Sequence, residues 1–82
     1  MSKCFLVVGD FVHPNEHACW FQPVAIFADL QQADDFVRSD PTALLGACDA
    51  VVWEMEIGRK PIEVRDYRRQ KPSYTGPFVL IE

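Results

Sequence analysis

The first apolar run, Cys4-Phe5-Leu6-Val7-Val8-Gly9-Asp10-Phe11-Val12, is rich in β-branched and aromatic residues and predicts a strand. It is apolar on both faces, which predicts a central position in a sheet. Gly9 inside it predicts a bulge or a close approach by a neighbouring side chain. His13-Pro14-Asn15-Glu16-His17 has turn chemistry. A second strand follows over 20–27, with Pro23 placing its early half on a sheet edge.

The pattern then changes period. Asp29 stands where an N-cap is needed, with Gln32 three residues on in a capping-box position. Leu30, Ala33, Phe36 and Val37 fall on one helical face, and Gln31, Asp34, Asp35 and Arg38 on the other. Asp34 and Arg38 have the spacing of an ion pair one turn apart. Pro41 disfavours helical geometry at Asp40, so the helix should stop before it. A further single turn, Thr42 to Leu45, is expected to close at Gly46.

Val51, Trp53, Met55 and Ile57 alternate with Val52, Glu54 and Glu56, a half-buried strand with the glutamates on its wet side. Ile62-Glu63-Val64-Arg65 reads as its hairpin partner across the loop Gly58-Arg59-Lys60-Pro61. That register sets Ile57 against Ile62, Met55 against Val64 and Glu54 against Arg65. Residues 66–76 read as a loop or short helix, and 77–82 as a last strand. Residues 1–82 therefore make one domain with its core over about 3–65. The class is α+β, in β-β-α-β-β order: a small antiparallel sheet of strand order 2-1-3, ferredoxin-like in character, with one main helix on one face. The crossover through the helix should be right-handed.

Composition changes this picture little. Of 82 residues, 49% are hydrophobic and 24% charged, ordinary values for a globular chain. Cys4, Cys19 and Cys48 cannot all pair within one chain, and no secretory signal or membrane-length apolar run is seen, so free thiols in the cytoplasm are expected. Charge is more informative. Up to Ile57 nine acidic residues face only Lys3 and Arg38, whereas Arg59, Lys60, Arg65, Arg68, Arg69 and Lys71 crowd the remainder. Such polarity can steer a charged partner.

Candidate chemistry is sparse. His13, His17 and Cys19 form H-x3-H-x-C, with donor types that zinc accepts, but the spacing fits no common module and a fourth ligand is not evident. A polar loop holding two histidines explains them more simply, and no metal is expected. Cys19 beside an imidazole has the elements of an activated thiol, without an orienting third group. Cys4 and Cys48 read as small core residues. Glu54 and Glu56 project from one strand face about 7 Å apart, with no apolar pocket to shift a pKa. Trp20, Phe21 and Trp53 are candidate interface anchors if any stays exposed. Neither nucleotide-binding glycine motif occurs, and no cofactor is expected.

Two readings remain for function. The strand, cap and A-x-x-[FV] helix of residues 20–57 resemble those of many small bacterial and phage proteins, without pointing to one family. The leading expectation is a non-enzymatic module that binds a protein partner and occludes its surface, in its concrete form a phage-type inhibitor of a host defence system, anti-CRISPR-like. There Asp10, Glu16, Asp29, Asp34, Asp35, Glu54 and Glu56 would compete for a cationic channel. The alternative is a nucleic-acid-binding regulator using Arg59, Lys60, Arg65, Tyr67, Arg68 and Arg69, with arginines on phosphates and tyrosine on bases. No membrane association is expected. Homodimerisation through an open sheet edge is compatible with both.

Overall fold

The computed structural model describes residues 3–13, 18–70 and 76–81. The elements in chain order are β1 (Lys3–His13), β2 (Ala18–Phe27), α1 (Leu30–Arg38), a single 3-10 turn (Thr42–Leu44), β3 (Ala47–Glu56), β4 (Ile62–Arg69) and β5 (Phe78–Leu80). The strands form one antiparallel sheet in the order β2-β1-β3-β4-β5. This is a small α+β fold. The ferredoxin-like expectation needs correction in detail: β4 and β5 extend the sheet beyond β3 as a meander. A ferredoxin-like unit carries two crossover helices, and α1 is the one α-helix among the described residues.

Local chemistry shapes α1 as its sequence requires. The Asp29 carboxylate accepts from the Gln32 backbone N–H at 2.8 Å, satisfying an amide that the first turn leaves free. Ala33 and Val37 are buried, and Leu30 and Phe36 pack at the edge of the core. Arg38 and Asp34 pair at 2.9 Å. The chain leaves the helix through Ser39 and Asp40, the latter in left-handed geometry with φ of 51°. Pro41 then starts the 3-10 turn, and Gly46, with φ of 88°, turns the chain into β3.

Cross-strand partners share a sheet face, and this decides what α1 covers. Phe5 lies opposite Glu54, Val7 opposite Val52, Gly9 opposite Ala50, and Ala50 opposite Tyr67. Phe5, Val7, Ala50, Val52, Tyr67 and Phe78 build the core with Ala33, Val37 and Leu44. The expected orientation of β3 is therefore reversed. Glu54 and Glu56 sit on the helix side of the sheet, and Val51, Trp53 and Met55 on the other. The reason is size. Where the helix and the 3-10 turn descend on the sheet, the strands offer Gly9, Ala47 and Ala50. A Cβ at Gly9 would lie 2.6 Å from the Phe11 ring and 3.0 Å from Leu44.

The β3–β4 register also differs from the expected one. Glu54 faces Ile62 and Trp53 faces Glu63, after which a bulge at Val64 sets Val52 opposite Arg65. Inserting one residue returns Val64 to the core side while Arg65 keeps its place in the ladder. The segment 66–69, expected to lie in a loop or short helix, instead continues β4, and Tyr67 in it is fully buried. Residues 71–75 of that expected loop lie outside the described residues.

Candidate functional site

A single nine-residue helix covers one face of the sheet, and no described element covers the other. On the uncovered face Leu6 lies between Ile26 and Trp53, and Val8 lies between Pro23 and Val51. Phe21 and Ile26 are 68% and 66% exposed. Val8 is buried although no described helix lies above it. Lys60 and Pro61 of the β3–β4 connection rim a shallow apolar hollow floored by Leu6, Trp53 and Met55. Large apolar side chains gathered on one open face are the usual mark of a contact surface.

One row of this face is polar. Phe21, Asp10, Asp49, Arg68 and Val79 lie side by side across β2, β1, β3, β4 and β5. Beside them the β1–β3 ladder shifts, pairing Asp10 with Asp49 but Phe11 with Ala47. Cys48 is the extra residue, and the bulge re-aims its side chain. The donor atoms of Asp10, Cys48 and Asp49 all lie within 4.8 Å of one another. The Cys48 thiol donates to the Asp10 carbonyl at 3.4 Å. Burial raises the Cys48 pKa, and Asp49 and Asp10 raise it further. The thiol is thus held protonated and is a poor nucleophile or metal ligand near neutral pH. Burial also raises the Asp49 pKa, against the pull of Arg68, whose Nε is 4.0 Å away, and with the push of Asp10 and Asp66. Asp10 Oδ1 is buried and meets no hydrogen-bond donor among the described residues.

The acidic residues expected to form one contact face are divided. Asp10 lies on the helix-free face. Asp29 caps α1, and Asp34 accepts from Tyr67 Oη at 2.5 Å and from Arg38. Asp35 accepts from Gln31 on the exposed side of the helix. Glu54 and Glu56, at one end of the sheet's helix side, pair with Lys3 at 3.6 Å and Arg59 at 3.7 Å. Glu16 lies outside the described residues. Most of these carboxylates already serve the fold.

The basic segment is divided too. Arg59 and Lys60 are exposed in the β3–β4 connection. Arg65 is on the helix side beside Asp34 and Leu80, whereas Arg68 is on the helix-free side. Arg69 is buried, donating to the carbonyls of Ala47, Leu44 and Gly76 and lying 4.1 Å over the Phe78 ring. Tyr67 has no exposed ring face to stack on a base. Of H-x3-H-x-C, His13 ends β1, Cys19 is exposed on β2, and His17 is outside the described residues. Cys4 and Cys48, expected in the core, are half-buried.

Comparison with protein-family models, curated proteins and solved structures finds no match. The site therefore rests on its own geometry. No helix among the described residues is long and apolar enough to cross a membrane.

The Asp10–Cys48–Asp49 group escaped the sequence reading because β1 and β3 are far apart in the chain and a bulge has no reliable sequence mark. The apolar face had a signal. Leu6 and Val8 alternate with core residues in β1, and Val51, Trp53 and Met55 do so in β3, so both central strands carry large apolar groups on both faces. One helix can cover only one of those faces.

Proposed function

We propose that this chain is a non-enzymatic protein-binding module that works by burying its helix-free sheet face against another polypeptide. The observation that supports it most is that face itself, where Leu6, Trp53, Met55, Ile26 and Phe21 stand together with no covering layer among the described residues. Trp53 is the natural anchor, since interface energy concentrates in large, centrally placed aromatic groups. Asp10, Asp49 and Arg68 form a polar row that fixes orientation, because misplaced charges cost more than matched ones return. The inhibitor form, an anti-CRISPR-like protein competing for a cationic channel, would instead use the outward side of α1, where Asp29 and Asp35 are exposed, and would be marked by protection of α1.

Hydroxyl-radical footprinting tests the contact face directly. The chain is oxidised in the lysate of cells that express it, and again as purified protein at nanomolar dilution. Protection of Trp53 and Met55 in the lysate, with α1 equally reactive in both samples, is the expected result. Equal oxidation of both residues in the two samples would refute the reading.

A further inference from the structure

We propose that the occupant of the helix-free face is a second copy of this chain, packed sheet on sheet about a two-fold axis that runs between the sheets close to the direction of β3. The inference rests on the reading of that face as a contact surface and specifies its partner.

β3 is the middle strand of five. A two-fold along it sets β1 of one copy over β4 of the other, and β2 over β5. An isologous contact needs a surface complementary to itself under that operation. In the polar row, Asp10 lies one strand to one side of Asp49, and Arg68 one strand to the other. The operation therefore lays the partner's Arg68 over Asp10, twice in the dimer. Arg68 is well placed to reach across, its side chain being 62% exposed. The contact would give the under-satisfied Asp10 carboxylate a cation on its outer side.

The apolar positions follow the same symmetry. Phe21 on β2 meets Val79 on β5. Pro23 meets Ile81, whose backbone N–H donates to the Asp66 carbonyl at 2.8 Å and so places it in that row. Val79 and Ile81 are otherwise exposed apolar groups at the far edge of the sheet, 41% and 43% accessible. Val51 and Trp53, on the axis strand, meet their own counterparts. Asp49, also on the axis strand, meets its own counterpart beside the two Arg68 side chains, and Asp66 and Glu63 fall opposite Val8 and Leu6; these three mismatches keep the association modest.

Size and layer geometry agree with this occupant. The eleven residues of β1 span about 36 Å, and five strands spaced about 4.8 Å apart span about 19 Å. A full rectangle of that size is roughly 700 Å² in projection; the three residues of β5 leave part of it unfilled, so the contact falls somewhat below the ~800 Å² that each partner gives to a standard interface. Sheets pack face to face about 10 Å apart with strands aligned to within about 30°, which this axis preserves. Both α1 helices end up on the outside of the dimer.

Complementary charge reversal tests the inference. Sedimentation equilibrium is run on the wild-type chain, on Asp10→Arg, on Arg68→Asp, and on an equimolar mixture of the two variants. The wild type should be dimeric in the micromolar range. Each variant alone sets like charges against each other at both contacts and should dimerise at least about tenfold more weakly. In the mixture, the arginine introduced at position 10 of one chain meets the aspartate introduced at position 68 of the other. The second contact keeps native Arg68 against native Asp10, so association should return. Repair within one chain cannot produce that rescue. A wild type that stays monomeric to about 500 μM, well above the micromolar range expected of such a contact, overturns the proposal. So does a dimer indifferent to both variants, or one that the mixture fails to restore, either of which points to another surface such as the β2 edge. If the variants do not fold, protection of wild-type Trp53 and Met55 from radicals as concentration rises decides the matter in their place. A purified monomer whose Trp53 and Met55 are nevertheless protected in lysate overturns the self-association and leaves the contact-face reading intact with a different occupant. A monomer unprotected in both settings ends both.

Discussion

Arg69 Nη1 lies 3.0 Å from Asp40 Oδ1, and the arginine side chain is 2% exposed while the aspartate is 42% exposed. The pair ties β4 to the left-handed residue that ends the helix region. The same nitrogen also donates to the Gly76 carbonyl at 2.7 Å, and Nε and Nη2 close the corner by donating to the carbonyls of Ala47 at 2.6 Å and Leu44 at 2.8 Å. Arginine's planar fork suits such a cluster of acceptors, and a lysine offers one point charge instead.

Arg69→Met should cost about 3–5 kcal/mol, because it leaves buried carbonyls and one carboxylate without their donor. Arg69→Lys should recover only a minor part. Asp40→Asn should be far milder, since its carboxylate is half exposed and asparagine tolerates left-handed geometry. Urea unfolding of the three variants checks the order. Equal losses for Arg69→Met and Asp40→Asn would mean that the ion pair, and not the carbonyl cluster, holds the corner.

Tyr67, two residues before Arg69 on the same face of β4, joins that strand to α1 through its bond to Asp34. Tyr67→Phe should cost about 1–2 kcal/mol, at the upper end for a bond to a charged acceptor. Burial raises the phenol pKa, and the Asp34 bond and charge raise it further. The folded state therefore holds this proton more tightly than the unfolded chain, whose tyrosines titrate near ~10. The contribution of Tyr67 is complete below that pH and is lost as pH rises above it. The stability gap between wild type and Tyr67→Phe should accordingly narrow from about pH 10 upward. Paired melts at pH 8 and pH 10.5 read this directly.

Gly9 leaves no room for a side chain beneath Leu44 and beside Phe11. A methyl there would strike Phe11, which stacks on Trp20 with ring centroids 5.6 Å apart. Gly9→Ala should destabilise the fold by about 1–3 kcal/mol, as overpacking of a tight site does. It should also shift Trp20 fluorescence as the Phe11 ring moves. An unchanged spectrum with unchanged stability would show that the ring gives way freely.

Much of the architecture was legible in the chain because its causes are local. Asp29 caps the helix because a carboxylate there reaches the free amide three residues on. The face of Leu30, Ala33, Phe36 and Val37 follows from helical period, and the stop at Arg38 from the proline just beyond. The central place of β1 was written in its apolar character on both sides. Each of these depends on residues within a turn or two of one another.

Three things waited for the tertiary structure. Alternation in β3 defines two faces but cannot say which one meets the helix; that depended on small residues contributed by two strands, Gly9 and Ala50, lying beneath the helix layer. The basic segment looked like a surface because arginines are usually solvated, yet Arg69 is buried, its acceptors being backbone carbonyls that no composition reveals. The polar row of Asp10, Asp49 and Arg68 exists only once β1, β3 and β4 are in register, and two bulges set that register. The sequence by itself determined the elements and their amphipathic character. Pairing across long chain separations decided which side stays open, and with it where a partner can sit.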